Sequence, residues 1–137
     1  MTDIELLELA REARSSSYTP YSNFRVGAAL LTKEGKVYRG CNIENAAYGP
    51  TNCAERTAFF TAVCAGEREF AAIAIAGGKE GTDGQECCAP CGVCRQVMME
   101  FCRPDEFRII LADGNGGCRS YRLEELLPMG FGPQDLT

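Results

Sequence analysis

With no histidine among its 137 residues, this chain must build any polar catalysis or metal binding from thiols and carboxylates. A Ser-His-Asp triad, an imidazole ligand and a histidine proton shuttle are all excluded. Nine cysteines are present. Cys91-Gly92-Val93-Cys94 places two thiols at i and i+3 in the first turn of an expected helix, facing the same way, which is the geometry of a chelate. The amides and dipole at a helix start also favour ionised sulfur. Cys53-Ala54-Glu55 stands at a second expected helix start and offers a third sulfur, with a carboxylate two residues on that can lie beside a metal without ligating it. Three protein ligands leave zinc a fourth position for water, whereas four close the site. Each feature alone has a plainer explanation, Cys91 and Cys94 as buried thiols and Glu55 as an acid stabilising the first helical turn. Their conjunction at two helix starts favours a metal-centred reaction.

Positioning those residues requires a scaffold, and the hydrophobic pattern outlines one. Thr2 and Glu5 read as a capping box for a helix whose apolar stripe is Ile4, Leu6, Leu7, Leu9, Ala10 and Ala13, ending at Ser15-Ser16-Ser17. Phe24 to Thr32 and Val37 to Ile43 flank the turn Lys33-Glu34-Gly35-Lys36 and predict an antiparallel hairpin. Cys53 to Ala65 predicts the second helix, with Gly66 as its stop. Phe70 to Ala76 is a continuous apolar run suited to a strand covered on both faces, and Gly77 to Ala89 reads as a long loop. Cys91 to Cys102 predicts the third helix and Phe107 to Ala112 another buried strand. Gly114-Asn115-Gly116-Gly117 is a turn into a return strand from Cys118 to Arg122, followed by a helical turn from Leu123 to Leu127. About five residues are too few for a parallel crossover, so the last two strands must pair antiparallel. The order predicts one α/β domain spanning residues 1–137 with a mixed sheet.

Composition narrows the function further. A hydrophobic fraction of 45% and a charged fraction of 24% suit an ordinary globular domain, and the net charge of −5 argues against a nucleic-acid partner, which needs a cationic face. No apolar run approaches the ~20 residues that cross a bilayer, and Met1-Thr2-Asp3-Ile4-Glu5 lacks the start of a signal peptide. An odd number of thiols disfavours a closed disulfide framework and fits a reducing, cytoplasmic compartment with no membrane partner.

Cys53-Ala54-Glu55-Arg56 together with Pro90-Cys91-Gly92-Val93-Cys94-Arg95-Gln96 resembles the zinc-dependent cytidine deaminases of the small, homotetrameric class, with cysteine in place of the histidine of the related signature. The strings from Tyr18 to Ala28 and from Asn42 to Tyr48 extend the likeness over nearly the whole chain. The resemblance implies a three-layer α/β/α fold on a five-stranded mixed sheet. It implies one zinc ion per chain on Cys53, Cys91 and Cys94, with Glu55 moving protons and Arg56 hydrogen-bonding the metal thiolates. Asn42 and Glu44 would bind the ribose hydroxyls, Phe24 would pack on the pyrimidine, and the backbone of Ala54 and Cys91 would contact the base. It further implies a homotetramer whose neighbouring chains close each site with Ala46, Tyr48 and Phe131. The implied reaction is hydrolytic deamination of cytidine and 2′-deoxycytidine in pyrimidine salvage, releasing ammonia.

The chain departs from that pattern at Cys87-Cys88, within a loop that is longer than usual. Cys88, Cys91 and Cys94 form C-x2-C-x2-C, the opening of a ferredoxin motif, but its fourth ligand would fall on Met98. A closed zinc site using Cys87 or Cys88, and a redox pair at Cys91 and Cys94, are the other readings of these thiols. Gly77-Gly78-Lys79 fails as a phosphate loop, since Ile73 and Glu80 stand where a glycine and a hydroxyl are needed. Cys41, Cys64, Cys102 and Cys118 read as small hydrophobes.

Overall fold

The structure, a computed structural model, describes residues 1–136. Its elements are α1 (Asp3–Ala13), β1 (Phe24–Thr32), β2 (Val37–Cys41), α2 (Ala54–Cys64), β3 (Phe70–Lys79), α3 (Gly92–Phe101), β4 (Arg108–Ala112), β5 (Cys118–Arg122) and α4 (Leu123–Leu126), with 3₁₀ turns at Arg14–Ser16 and Pro133–Leu136. The expected order is met. The Thr2 hydroxyl accepts from the Glu5 amide at 3.2 Å, one half of the expected capping pair. Gly66 adopts φ +96 just beyond α2, the left-handed stop that ends a helix cheaply only with glycine.

The sheet runs β2-β1-β3-β4-β5. β1 pairs antiparallel with both β2 and β3, β3 and β4 are parallel, and β4 and β5 are antiparallel as the short turn demands. Alternation along the strands sorts the side chains into two layers of core. Leu30, Ile73, Ile75, Ile109 and Leu111 face Ala58, Phe59 and Met98 of α2 and α3. On the other face Ala29, Ala72, Ala74, Ala76 and Ala112 meet Leu6, Leu7 and Ala10 of α1. This second face is largely alanine, so α1 lies close to the strands, and a Cβ on Gly27 would stand 2.0 Å from the Ala10 carbonyl oxygen. Phe59 locks the two helices together, its ring 5.2 Å from Phe70 and 6.0 Å from Phe101 between centroids.

Three strand boundaries differ from the expectation, the smallest being β4, which begins at Arg108 and not at Phe107. β3 continues through Gly77, Gly78 and Lys79, which pair with Val26, Arg25 and Phe24. The glycines mark close approach rather than a loop, because a Cβ on Gly77 would lie 2.9 Å from both Cβ and Sγ of Cys88. β2 stops at Cys41, two residues short of Ile43. There the Asn42 amide takes over from the ladder, its Nδ2 donating to Phe24 O at 2.9 Å and its Oδ1 accepting from Val26 N at 2.9 Å. The helices also begin one residue later than expected, with Cys53 and Cys91 as their N-caps.

Candidate active site and metal centre

Both N-caps have extended backbone, φ −76 at Cys53 and φ −69 at Cys91, and neither sulfur caps its own helix. The thiols are thus free to face one another across the gap between α2 and α3. Cys53 Sγ lies 3.8 Å from Cys91 Sγ, and Cys91 Sγ lies 3.5 Å from Cys94 Sγ. All three sulfurs fall within 4.8 Å of one another. Zinc–sulfur bonds of about 2.3 Å in a tetrahedron give sulfur–sulfur edges of about 3.8 Å, close to the two short edges of the trio. No other such group of three His, Cys, Asp or Glu side chains occurs among the described residues.

The surroundings favour ionised sulfur. Arg56 Nη2 donates to Cys53 Sγ at 3.2 Å, holding a positive charge against the cluster. Hydrogen bonding from Cys94, Arg56 and Cys91 brings the Cys53 thiol down to about 5, while the bond to Cys53 and burial hold the Cys94 thiol high. Zinc with three thiolates carries a formal charge of −1, which Arg56 and two helix starts offset.

Glu55 occupies the first turn of α2 and is 4% exposed. Burial pushes its carboxyl up to about 7. It shares a cavity of about 170 Å³ with Val26, Asn42, Glu44, Cys53, Ala54, Cys88, Ala89 and Cys91. Gly40 sets the position of this helix: a Cβ there would stand 2.4 Å from Ala58 N and 2.5 Å from Ala54 O, so the first turns of α2 rest directly on the β2 backbone.

Toward solvent the cavity adjoins a second hollow of about 360 Å³, lined by Tyr21, Ser22, Glu44, Asn45, Tyr48 and Thr51. Glu44 and Thr51 belong to both. The Glu44 carboxylate accepts the Ser22 hydroxyl and the amides of Tyr21 (3.0 Å) and Ser22 (3.2 Å), and these bonds, the hydroxyl first, hold its pKa below the ordinary value. Asn42 is fixed to β1 at both ends of its amide, yet each end keeps capacity for one more partner. Phe24 lies outside the cavity lining, its ring edge covering Gly77 beside Cys88. Ala46 is exposed, as are Tyr48 at 74% and Phe131 at 57%. Tyr48 holds a left-handed φ of +62 at the rim. Of the extra thiols, Cys87 is exposed, and Cys88 forms cavity wall outside the three-sulfur group, its thiol pushed up to about 11 chiefly by burial. The C-x2-C-x2-C spacing thus assembles no cluster. Thr51, Asn52 and Ala89 also line the cavity, and no sequence signal singled them out.

The family model for the cytidine and deoxycytidylate deaminase zinc-binding region matches residues 1–109. The chain belongs to this deaminase family. A cytidine deaminase of Sporosarcina psychrophila is 46% identical over 136 residues, covering 98% of this chain and 96% of that protein. Another from Halalkalibacterium halodurans is 47% identical over 132 residues, covering 96% of each. A crystal structure of cytidine deaminase from Burkholderia pseudomallei superposes with a TM-score of 0.85 at 51% identity, covering 96% of this chain and 100% of that one. The three-layer α/β/α fold with antiparallel β4 and β5 is thus that of the cytidine deaminases, and the thiol trio supplies the zinc site of a deaminase domain. No described helix is long and apolar enough to cross a membrane.

Proposed function

We propose that this chain is a cytidine deaminase that hydrolyses cytidine and 2′-deoxycytidine to the corresponding uridines with release of ammonia, as a step of pyrimidine salvage. The observation that carries this reading is Glu55, a carboxyl 4% exposed that shares one small cavity with Cys53 and Cys91 of a three-thiol cluster. Held by Cys53, Cys91 and Cys94, zinc supplies Lewis-acid activation of water. Glu55 takes the water proton and gives it to N3 of the pyrimidine. It then relays the hydroxyl proton at C4 to the departing amino group, so one carboxyl serves both halves of the reaction. The backbone of Ala54 and Cys91 orients the base, Phe24 packs on the pyrimidine, and Arg56 keeps the thiolates compensated.

Asn42 and Glu44 are assigned to the ribose hydroxyls. Their support is placement: both line the cavity, and Glu44 is shared with the outer hollow, where a sugar leaving the base pocket must lie. A carboxylate there repels a 5′-phosphate, which favours a free nucleoside over a nucleotide or polynucleotide. The net charge of −5 points the same way. The hollow is open in one chain, and the exposed Tyr48 and Phe131 are suited to cover a neighbour's site. We therefore assign a homotetramer of single-domain chains with shared sites, in the reducing cytoplasm where nine free thiols persist. A substrate panel tests the reading. Cytidine and 2′-deoxycytidine should release ammonia with the ultraviolet change of uridine formation, while cytidine phosphates, single-stranded DNA and aminopyrimidine antibiotics react far more slowly. Equal activity on all of them contradicts the free-nucleoside assignment.

A further inference from the structure

Outside the cavity, one buried side chain gathers four backbone carbonyls from three separate segments. Arg14, in the turn after α1, is 6% exposed. Its Nε donates to Arg25 O on β1 at 3.0 Å, and its Nη2 donates to Gly78 O at 3.0 Å and Lys79 O at 3.2 Å at the end of β3. Its Nη1 donates to Thr82 O at 3.1 Å in the turn beyond. A guanidinium stays charged, and burying it is costly unless its donors are met. Here the acceptors are neutral carbonyls; Asp83 and Glu86 are the nearby charges that favour it, and Arg11 and Arg25 oppose it. Glycine makes room for the planar group. A Cβ on Gly84, where φ is +70, would lie 2.4 Å from Arg14 Nη1 and 2.7 Å from its Cζ.

What the guanidinium fastens is one side of the cavity. On β1, the residues flanking Arg25 are Phe24 and Val26, whose O and N anchor the two ends of the Asn42 amide, and Val26 is itself cavity wall. Past the Thr82 turn the chain returns to bridge Glu86 with Gly77, the β3 partner of Val26, then brings Cys88 and Ala89 into the cavity lining. The reacting groups depend on other elements. Cys53, Glu55 and Arg56 ride on α2 and Cys91 and Cys94 on α3, both packed on the far face of the sheet from α1.

We propose that Arg14 is a positioning residue for substrate capture: it sets the spacing between the Val26–Asn42 wall and the Cys88–Ala89 wall without touching the metal or the proton-transfer machinery. The identity of the ligand rests on the cytidine reading above, and the test separates the two. Arg14→Lys keeps the charge but cannot fork to four carbonyls, Arg14→Ala removes the side chain, and Gly84→Ala crowds the guanidinium from outside the cavity. In the zinc-loaded full chain, each variant should raise KM for cytidine about tenfold while kcat stays within about threefold and zinc per chain is unchanged. Millimolar guanidinium, too dilute to denature, should lower KM again in Arg14→Ala only. Amide hydrogen exchange over residues 86–89 should quicken in all three. Unchanged KM and unchanged exchange in variants that merely melt earlier would make Arg14 a structural brace and overturn the proposal, as would a fall in kcat with loss of zinc. Should Arg14→Ala not fold, Arg14→Lys and Gly84→Ala decide. If the unmodified chain is inert toward cytidine, it is the functional reading that fails, and the exchange comparison still decides the role of Arg14.

Discussion

Gly40→Ala is a single methyl group placed where the structure has no room for it, and its consequence can be followed from strand to active site. The added Cβ would stand 2.4 Å from Ala58 N and 2.5 Å from Ala54 O, both backbone atoms of α2, so no side-chain rotation relieves the contact. To restore van der Waals distance the first turns of the helix must retreat from β2 by about 1 Å. Overpacking of this kind costs about 1–3 kcal/mol, and each kcal/mol lowers the melting temperature of a domain this size by about 4 °C. The more telling effect is on the site, because the displaced turns carry Glu55 and Arg56 and begin at Cys53. Misplacing a catalytic group by about 1 Å costs about 10²-fold in rate, and the same shift opens the sulfur triangle. The assay is kcat on cytidine, zinc per chain and melting temperature, measured beside Gly35→Ala. Gly35 has a left-handed φ, +96, but nothing lies within 4 Å of its Cβ position, so that control should lose about 1 kcal/mol of stability with kcat and zinc content intact. A Gly40→Ala enzyme with ordinary kcat and zinc content would refute the claim that β2 sets the position of the site.

Further expectations concern single groups. Cys53→Ala, Cys91→Ala and Cys94→Ala should each lose zinc by metal analysis, while Cys87→Ser and Cys88→Ser keep it, since only the first three sulfurs converge. Glu44→Ala should raise KM for nucleosides and weaken discrimination against their phosphates, with zinc content unchanged, as steady-state kinetics on cytidine and its monophosphate would show. Two inactive variants, Glu55→Ala and a chain lacking the Tyr48 and Phe131 rings, should regain some activity when refolded together, and a verified mixed oligomer with no recovery would remove the shared-site assignment. Asp3→Asn should flatten the acid end of the stability curve. The Arg108 hydrogen bonds hold the Asp3 carboxyl below its ordinary value, so the pair stabilises the fold above the unfolded pKa and loses that contribution as pH falls through the folded one. Thermal melts between about pH 2 and 6 check the sign.

Element order, the antiparallel β4–β5 hairpin and the Cys91–Cys94 pair were legible in local spacing, whereas Cys53, 38 residues from Cys91, joined the metal site through the family resemblance. Two thiols three residues apart at a helix start face the same way, and a five-residue connection cannot cross over. Where sequence reasoning fell short, the deciding partner lay far along the chain. Gly77 and Gly78 carry the ordinary signal of a loop, yet they continue β3, and they are glycines because Cys88, Thr82 and the Gly84 backbone occupy the space their side chains would fill. Asn42 reads as a strand residue until its amide replaces the ladder and ends β2. Arg14 carries no signal at all. Its acceptors are carbonyls 11 to 68 residues away, and a carbonyl looks the same in every residue.

The central claim is that a buried carboxyl and a zinc ion on three cysteines act together on a free cytidine. It is met most directly by measuring ammonia release from cytidine and zinc per chain on the same samples of the unmodified protein and Glu55→Gln. The account predicts one zinc per chain in both, with turnover in the first and a loss of at least about 10²–10⁴-fold in the second. Near-ordinary turnover in a zinc-loaded Glu55→Gln enzyme, or a zinc-loaded unmodified protein that releases no ammonia from cytidine, would contradict it.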